Sequence, residues 1–203
     1  DRTGIVNWTF DSNNQAFNYL GADEQLNLSY VIRTTDNYSP ATYVDQTIFI
    51  SINGTDDAPS TVASGNMTGA LIEGQNQNAN GSFRFSDIDL TDRPTATVVS
   101  QSYVDIKSDN STRTLTDAEK NQLGLGFTIS PLSPSFGSNT NNGTISWNYN
   151  GSDNNLGVIA GGDTVTANFV VAVNDGHGGI SNQTVTLTFT GVNSAPVLNV
   201  NQN

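Results

Sequence analysis

Cysteine is absent from the 203 residues of the chain. A disulfide therefore cannot stabilise the fold, and no thiolate is available as a zinc ligand. Burial of apolar side chains and the binding of hard cations remain as stabilising interactions. No run of about 18 consecutive apolar residues is present either, so we expect no membrane insertion.

Basic residues are scarce as well. Seven lysine and arginine residues stand against nineteen aspartate and glutamate residues, which gives a net charge of −12. A nucleic-acid-binding surface needs the opposite sign, so we expect no nucleic-acid partner. Carboxylates that folding brings together repel one another unless a cation neutralises them, and this surplus therefore favours cation binding.

The sequence repeats itself over a long period. VDQTIFISINGTDDAP at 44–59 resembles NQTVTLTFTGVNSAP at 182–196. The match extends upstream, with a slip of two residues that we place in a hairpin loop because loops vary in length on a fixed frame. The aligned pairs include Gln46–Gln183, Gly54–Gly191, Pro59–Pro196, Gly4–Gly143, Trp8–Trp147, Phe10–Tyr149 and Asp36–Asp175.

A period of this length corresponds to a whole domain. We expect residues 1–58 to be the C-terminal part of one repeat, 59–196 a complete repeat, and 197–203 the start of a third repeat or a linker. The chain then reads as an excised piece of a longer tandem array. Two alternatives remain open for residues 1–58, which either form a reduced sheet or borrow strands from a neighbour.

The local patterns favour strands. Alternate residues from Val165 to Val173 are apolar, as are Val185, Leu187 and Phe189, and this period of two indicates half-buried strands. Asp-Gly-His-Gly-Gly between these runs predicts a hairpin. One short helix is predicted after Thr116, with Glu119 completing a capping box and Gly124 ending the helix. The fold class is therefore all-β, as antiparallel immunoglobulin/cadherin-like β-sandwich repeats with one short helix in a crossover loop.

FSDIDLTDRP at 85–94 places Asp87, Asp89 and Asp92 within six residues. In an extended strand Asp87 and Asp89 would point the same way and repel each other unless a cation lay between them. Calcium prefers six to eight oxygen ligands. An EF-hand is excluded, because Asp92 stands where that loop needs glycine. For an isolated Asp-x-Asp, a solvated acidic turn would be the simpler interpretation.

A second acidic cluster strengthens the calcium hypothesis. NGTDDAP at the junction of the two repeats contains Asn53, Asp56 and Asp57, about thirty residues before the Asp-x-Asp motif. The equivalent turn of the second repeat, GVNSAP, has Asn193 and Ser194 instead of the acidic pair. We therefore expect a weaker metal site, or none, at that second junction.

Together, SFRFSDIDLTDRPTATVV, VNDGHGGISNQTVTLTFTG and GTDDAP resemble the VCBS repeats of large bacterial RTX-type adhesins, which are bacterial cadherin-like domains. The resemblance covers residues 4–196. It implies interdomain Ca²⁺ held by Asn53, Asp56, Asp57, Asp87 and Asp89, and it assigns Glu73 to the junction at the far end of its own domain. The remaining candidate metal ligands are Asp92 and Asp175.

Other conspicuous residues favour structural roles. His177 is the only histidine and lacks the partners that catalysis or a zinc site needs, so we expect a structural turn residue. Trp8 and Trp147 occupy equivalent positions and are predicted to be core anchors. No nucleophile–base pair is recognisable, and we therefore expect no enzyme activity.

The leading hypothesis is a structural extender of a secreted, surface-associated bacterial adhesin, made rigid by calcium at the interdomain junction. Its partners would be neighbouring repeats of the same chain, in a monomer, with any glycan, host or biofilm target elsewhere in the parent protein. The alternative is a glycan- or protein-binding adhesion module that uses Tyr38 and Tyr43.

Overall fold

The computed structural model describes residues 4–13, 16–130 and 140–193. A two-stranded hairpin comes first and a two-layered sandwich follows it. The strands are β1 Gln25–Thr35, β2 Tyr43–Asn53, β3 Ser60–Ala63, β4 Thr68–Ile72, β5 Asn78–Ser86, β6 Thr95–Ile106, β7 Thr112–Arg113, β8 Phe127–Ser130, β9 Asn142–Asn150, β10 Thr164–Asn174 and β11 Ile180–Thr190. The helices within these ranges are α1 Asp117–Gly124 and α2 Asp153–Leu156.

The sandwich consists of two sheets with their apolar faces together. One sheet has the strand order β4-β11-β10-β6-β7 and the other has the order β3-β5-β9-β8. The pairings are antiparallel except that of β4 with β11, which is parallel. This is the predicted immunoglobulin/cadherin-like architecture.

Aromatic side chains fill the space between the two sheets. The ring of Phe127 on β8 stacks on Phe169 of β10 at a centroid distance of 4.1 Å, and Tyr149 of β9 lies 5.1 Å from Phe189 of β11. Trp147 is buried and donates its indole N–H to the Asn66 carbonyl at 2.8 Å. The alternation predicted from Val165 to Val173 is confirmed, because the apolar residues at alternate positions of β10 are all buried.

The predicted helix is confirmed together with its capping box. Thr116 Oγ1 accepts from the Glu119 N–H, and the Glu119 carboxylate accepts from the Thr116 N–H at 2.7 Å. The helix ends at Gly124, as predicted. The lack of a side chain at Gly124 also makes room for Gln101, since a Cβ would lie 2.6 Å from Gln101 Oε1.

The second short helix, α2, was not predicted from the sequence. It spans only four residues, and its tip packs into the sandwich through Leu156, which is fully buried. Neither helix in the described ranges is long and apolar enough to cross a membrane.

The hairpin β1–β2 repeats the geometry of β10–β11. Gln25 pairs with Asn53, and the aligned residues Thr164 and Thr190 pair in the same way. The connecting loop covers residues 36–42 in the first hairpin and 175–179 in the second, so the two-residue slip falls in the loop as predicted.

Backbone contacts at the open end of each hairpin, opposite its connecting loop, are equivalent as well. The Gly54 N–H donates to the Glu24 carbonyl at 2.8 Å, and the Gly191 N–H donates to the Asp163 carbonyl at 3.1 Å. A Cβ on Gly54 would lie 2.2 Å from the Gly21 carbonyl oxygen, which explains why only glycine fits there. Sequence and backbone agree in this detail, and the two hairpins have the same local geometry. The unit boundaries at 58 and 196 remain predictions, and residues 194–203 lie outside the described part.

Core positions of the complete sandwich are exposed in the first hairpin. Phe169 is fully buried, whereas its counterpart Tyr30 is 49% exposed. Trp147 is 1% exposed, whereas Trp8 is 51% exposed, so the prediction that both tryptophans are core anchors is wrong for Trp8. The difference arises because residues 4–13 and 16–58 contain no equivalent of strands β3 to β8.

This difference in burial predicts unequal mutational effects at matched positions. Phe169→Ala leaves a cavity between the sheets and should lower the free energy of unfolding by about 3–5 kcal/mol. Tyr30→Ala at the equivalent hairpin position should cost about 1 kcal/mol or less. Urea titration followed by circular dichroism checks both values. Equal losses for the two variants would contradict the assignment of the core to the sandwich alone.

Candidate metal centre

The acidic residues 87–92 form a loop where the sandwich touches the hairpin. Strand β5 ends at Ser86, so Asp87 and Asp89 do not lie in the strand where an extended conformation was predicted. The loop is held by its own backbone, because the Asp89 N–H donates to Asp87 Oδ1 at 3.1 Å and the Asp92 N–H donates to the Asp89 carbonyl at 3.2 Å.

Burial in this loop is the reverse of the usual pattern. Asp87 and Asp89 are 5% and 0% exposed, whereas Ile88 and Leu90 between and after them are 50% and 58% exposed. Charged side chains are almost never fully buried unless they are paired or bind a metal. Burial of these carboxylates costs free energy, and this cost indicates that a ligand compensates their charge.

Two hydrogen bonds connect the loop to the preceding unit. The Asp57 N–H donates to Asp89 Oδ2 at 2.8 Å, and the Leu90 N–H donates to the Tyr19 carbonyl at 3.1 Å. Gly21, which precedes β1 at the open end of the hairpin, lies so close that a Cβ there would be 3.2 Å from Asp92 Oδ1. The acidic loop is thus the contact surface between the two units.

The β10–β11 turn contributes a further carboxylate. Asp175 Oδ1 accepts from the N–H groups of His177, Gly178 and Gly179 at 2.7, 3.0 and 3.1 Å. The turn needs glycine for positive φ, which is +96° at Gly176 and +129° at Gly178. Three donors fix Oδ1 of Asp175, whereas its buried Oδ2 accepts no hydrogen bond.

The acidic side chains form two clusters that share Asp92. One contains Asp87, Asp89 and Asp92, and the other contains Asp56, Asp92, Asp175 and His177, and within each cluster one ligand atom per residue lies within 4.8 Å of the others. The buried carboxylate oxygens of these clusters that accept no hydrogen bond are Asp87 Oδ2, Asp89 Oδ1, Asp92 Oδ1, Asp92 Oδ2 and Asp175 Oδ2.

Burial and mutual repulsion disturb the protonation of these groups. Desolvation raises the pKa of Asp87 to about 6, with the charges of Asp92 and Asp89 adding to the shift. Desolvation likewise raises the pKa of Asp89, and desolvation followed by the charge of Asp175 raises that of Asp56. The Asp92 carboxylate, whose Oδ1 lies 3.3 Å from His177 Nδ1, raises the pKa of His177. A carboxylate that holds a proton this tightly lacks a cationic partner, and a bound cation would supply one.

These residues fit a hard divalent cation. Its preferred ligands are oxygens, and the site offers several buried carboxylate oxygens that have no other partner. Asp105, which is also buried on the sandwich, differs because Arg113 Nε lies 2.7 Å from its Oδ2. The positive charge that Asp105 receives from Arg113 would have to come from a bound cation at the junction.

The remaining predicted ligands lie outside the two clusters. Asn53 Oδ1 accepts from Gln25 Nε2 at 2.9 Å on the hairpin surface, and Asp57 contributes its backbone N–H to Asp89. Glu73 is at the other end of the sandwich, where its Oε2 accepts from the Val192 N–H at 2.9 Å. Asn193 is next to that contact, and Ser194 lies outside the described residues.

His177 is the residue that sequence reasoning missed. Its Nδ1 lies 3.3 Å from Asp92 Oδ1, although 85 positions separate the two residues in the chain. The sequence does place His177 two residues after Asp175 in a glycine-rich turn, which is a hint of a metal-binding role. Only the fold, however, brings that turn next to Asp92.

No model of a protein family matches the chain, and no curated protein sequence matches it. Similar solved structures include the ASH/PapD-like domain of human CEP192, with 10% identity, a TM-score of 0.38 and coverage of 68% of this chain and 87% of that one. The protocadherin GammaB4 extracellular domain has 13% identity, a TM-score of 0.39 and coverage of 83% and 22%. The Enterococcus faecalis MSCRAMM ACE has 16% identity, a TM-score of 0.24 and coverage of 81% and 60%.

These similarities are too distant to carry an argument about function. The chain spans less than a quarter of the protocadherin length. Assignment of the fold therefore depends on the two facing sheets, and the resemblance to VCBS repeats stays a prediction because no family match supports it.

The raised pKa values predict how metal-free stability depends on pH. Asp87 has a folded pKa of about 6, against about 3.9 in an unfolded chain. Protonation of Asp87 contributes fully to stability at pH values below its pKa in the unfolded chain. This contribution is lost as pH rises through its pKa in the folded chain. In chelator-treated buffer, the melting temperature should therefore fall from about pH 5 to about pH 7.

Asp87→Asn should flatten this dependence, and Asp117→Asn, which removes a 95% exposed carboxylate, should leave it unchanged. The hydrogen bond from Arg113 lowers the pKa of Glu119 to about 2. Protonation of Glu119 therefore destabilises the fold only at more acidic pH and does not affect the range from about pH 5 to about pH 7. A metal-free melting temperature that rises between the two pH values would contradict the assignment.

Proposed function

We propose that this chain is a structural extender segment in which a divalent cation, calcium by preference, makes the joint between successive units rigid. The observation that carries the proposal is the set of five buried carboxylate oxygens without hydrogen-bond partners at the contact between hairpin and sandwich. Asp87, Asp89 and Asp92 would hold the ion, and the linker residue Asp57 is joined to this loop through Asp89.

The mechanism follows from charge. Without a cation, the clustered carboxylates repel and the loop that touches the hairpin loosens, so the two units move independently. A bound cation reverses the sign of the interaction between these side chains. It then fixes the acidic loop, and the hydrogen bonds from Asp57 and to Tyr19 fix the hairpin relative to the sandwich.

The expected affinity suits an extracellular setting. Calcium sites of extracellular modules typically bind at about 10⁻⁴–10⁻³ M. At a free concentration about 100 times the dissociation constant, binding adds about 2.7 kcal/mol to the free energy of unfolding. This is a large share of the roughly 5–15 kcal/mol that stabilises a typical domain.

The wider context is proposed from the sequence resemblance. It assigns the segment to a secreted RTX-type bacterial adhesin of the VCBS class, located at the cell surface, with neighbouring repeats of the same chain as partners. The copied hairpin supports the tandem part of this proposal, because Gln25–Asn53 and Thr164–Thr190 have the same register.

The alternative of a binding module depends on the exposed tyrosines of the first hairpin loop. Tyr38 is 78% exposed, but the Arg33 guanidinium lies 3.9 Å above the centre of the Tyr43 ring and covers one of its faces. A single uncovered ring is a weak platform for a glycan or a protein, and we therefore favour the extender.

Calcium should raise the melting temperature of the full chain. From the binding energy above, calcium at about 10 mM, which is about 100 times a dissociation constant of about 10⁻⁴ M, should shift it by about 5–10 °C relative to chelator. The double variant Asp87→Asn, Asp89→Asn should lose this shift because it removes two ligands of the proposed ion. Differential scanning calorimetry with and without calcium measures the effect.

The matched control is Asp109→Asn, Asp117→Asn, which removes the same charge from exposed positions of the sandwich. It should keep the full calcium response. An unchanged wild-type melting temperature in calcium would disprove the proposal, and so would an equal loss of response in both double variants.

Calcium should also narrow the range of distances between the two units. The absence of cysteine allows Ser29→Cys on β1 and Ser102→Cys on β6 to be spin-labelled specifically, and both positions are exposed. Pulsed electron paramagnetic resonance should give a broad distance distribution in chelator and a narrow one in calcium. A labelled pair within the sandwich, Ser102→Cys with Thr128→Cys, should not respond. A distribution between the units that stays broad in calcium would contradict rigidification.

A further inference from the structure

His177 lies among three carboxylates although it is the only histidine of the chain. Asp56, Asp92, Asp175 and His177 each offer a ligand atom, and these atoms lie within 4.8 Å of one another. Acidic residues alone would be weak evidence for a site. Here Asp92 and Asp175 are 1% and 5% exposed, and the oxygens Asp92 Oδ1, Asp92 Oδ2 and Asp175 Oδ2 accept no hydrogen bond.

The turn holds the imidazole in place over this cluster. The backbone N–H of His177 donates to Asp175 Oδ1 at 2.7 Å, which leaves Asp175 Oδ2 as the free oxygen of the same carboxylate. Gly179 leaves room for that oxygen, because a Cβ at this position would lie 2.0 Å from it. Nδ1 of His177 is 3.3 Å from Asp92 Oδ1. The linker with Asp56, the loop with Asp92 and the turn with Asp175 and His177 therefore meet at one site.

The donor set differs from that of the calcium site. Calcium takes oxygen ligands, whereas an imidazole nitrogen suits the borderline transition metals, and among these zinc also accepts carboxylate oxygens. With zinc–nitrogen and zinc–oxygen distances of about 2.0–2.2 Å, neighbouring ligand atoms in a tetrahedral site lie about 3.4 Å apart. The observed separation of 3.3 Å between Nδ1 and Oδ1 agrees with this value.

We propose that Asp56, Asp92, Asp175 and His177 form a second metal site that binds a zinc-class divalent cation. It lies beside the calcium site of the proposed function and shares Asp92 with it, since both oxygens of that carboxylate accept no hydrogen bond. The second site uses Asp56 from the linker and Asp175 from the last hairpin turn. In addition to the acidic loop that both sites share, it therefore connects the linker and the last hairpin turn.

The competing explanation for the contact is a simple ion pair. In that case His177 carries a proton on Nδ1, donates it to Asp92, and binds no metal. The two explanations differ in the state of Nδ1, which a metal would occupy and an ion pair would leave protonated.

Because the chain has one histidine, its imidazole nuclear magnetic resonance signals report on this site alone. The full chain, labelled with ¹⁵N and kept in millimolar calcium, is titrated with zinc chloride at neutral pH. We expect saturable shifts of the Nδ1 resonance at micromolar zinc. In isothermal calorimetry, His177→Gln and Asp175→Asn should each weaken zinc binding at least about tenfold, as expected when a ligand itself is removed.

Asp87→Asn is the matched control, because it removes a carboxylate of the calcium cluster that is not part of this site. It should retain zinc binding, and His177→Gln should retain the calcium-induced rise in melting temperature. Retention of zinc binding with no calcium response in the wild type would support this site and disprove the calcium proposal. No Nδ1 shift at a tenfold excess of zinc, or equal zinc affinity of wild type and His177→Gln, would overturn the second site.

Discussion

Electrostatic repulsion between buried carboxylates is the constraint on which the rest of this structure depends. Asp87, Asp89 and Asp92 leave water at one end of the sandwich, and apolar neighbours such as Leu90 are turned outward in exchange. A loop that only connected two strands would have the opposite pattern. The raised pKa of Asp87 shows that folding disfavours its charge. Any ligand that restores the charged form of these groups therefore stabilises the fold and the contact with the hairpin together.

The two ends of the sandwich are chemically different. The end that meets the hairpin collects the acidic loop, the Asp175 turn and the linker residue Asp56. At the opposite end Glu73 accepts a hydrogen bond from the Val192 N–H, and Asn193 stands where the first junction has an aspartate. The two ends of the sandwich therefore differ in how many acidic side chains they bring together.

Much of the architecture follows from local rules in the sequence. Period-two alternation predicted β10 and β11, the Thr116–Glu119 pair predicted α1, and the repeat predicted the place of the longer hairpin loop. The exposure of Trp8 was not predictable from its match with Trp147, because burial depends on strands that only the second unit has within the described residues. The place of His177 beside Asp92 was missed for a related reason, since no spacing rule connects two loops that meet only in the folded sandwich. The candidate ligands Asp87, Asp89 and Asp92 were recognisable because they are close in the chain.

The parallel pairing of β4 with β11 has a mechanical consequence. Five residue pairs, from Thr68 with Thr186 to Ile72 with Thr190, join the strand near the start of the unit to the strand that ends it. Tension applied through the two termini of the unit pulls these strands in opposite directions along their own axes. Their hydrogen bonds are then loaded in shear and must rupture together, whereas a hairpin pulled from its open end unzips one bond at a time. The unit is therefore built to resist stretching along the direction in which a tandem array would transmit force.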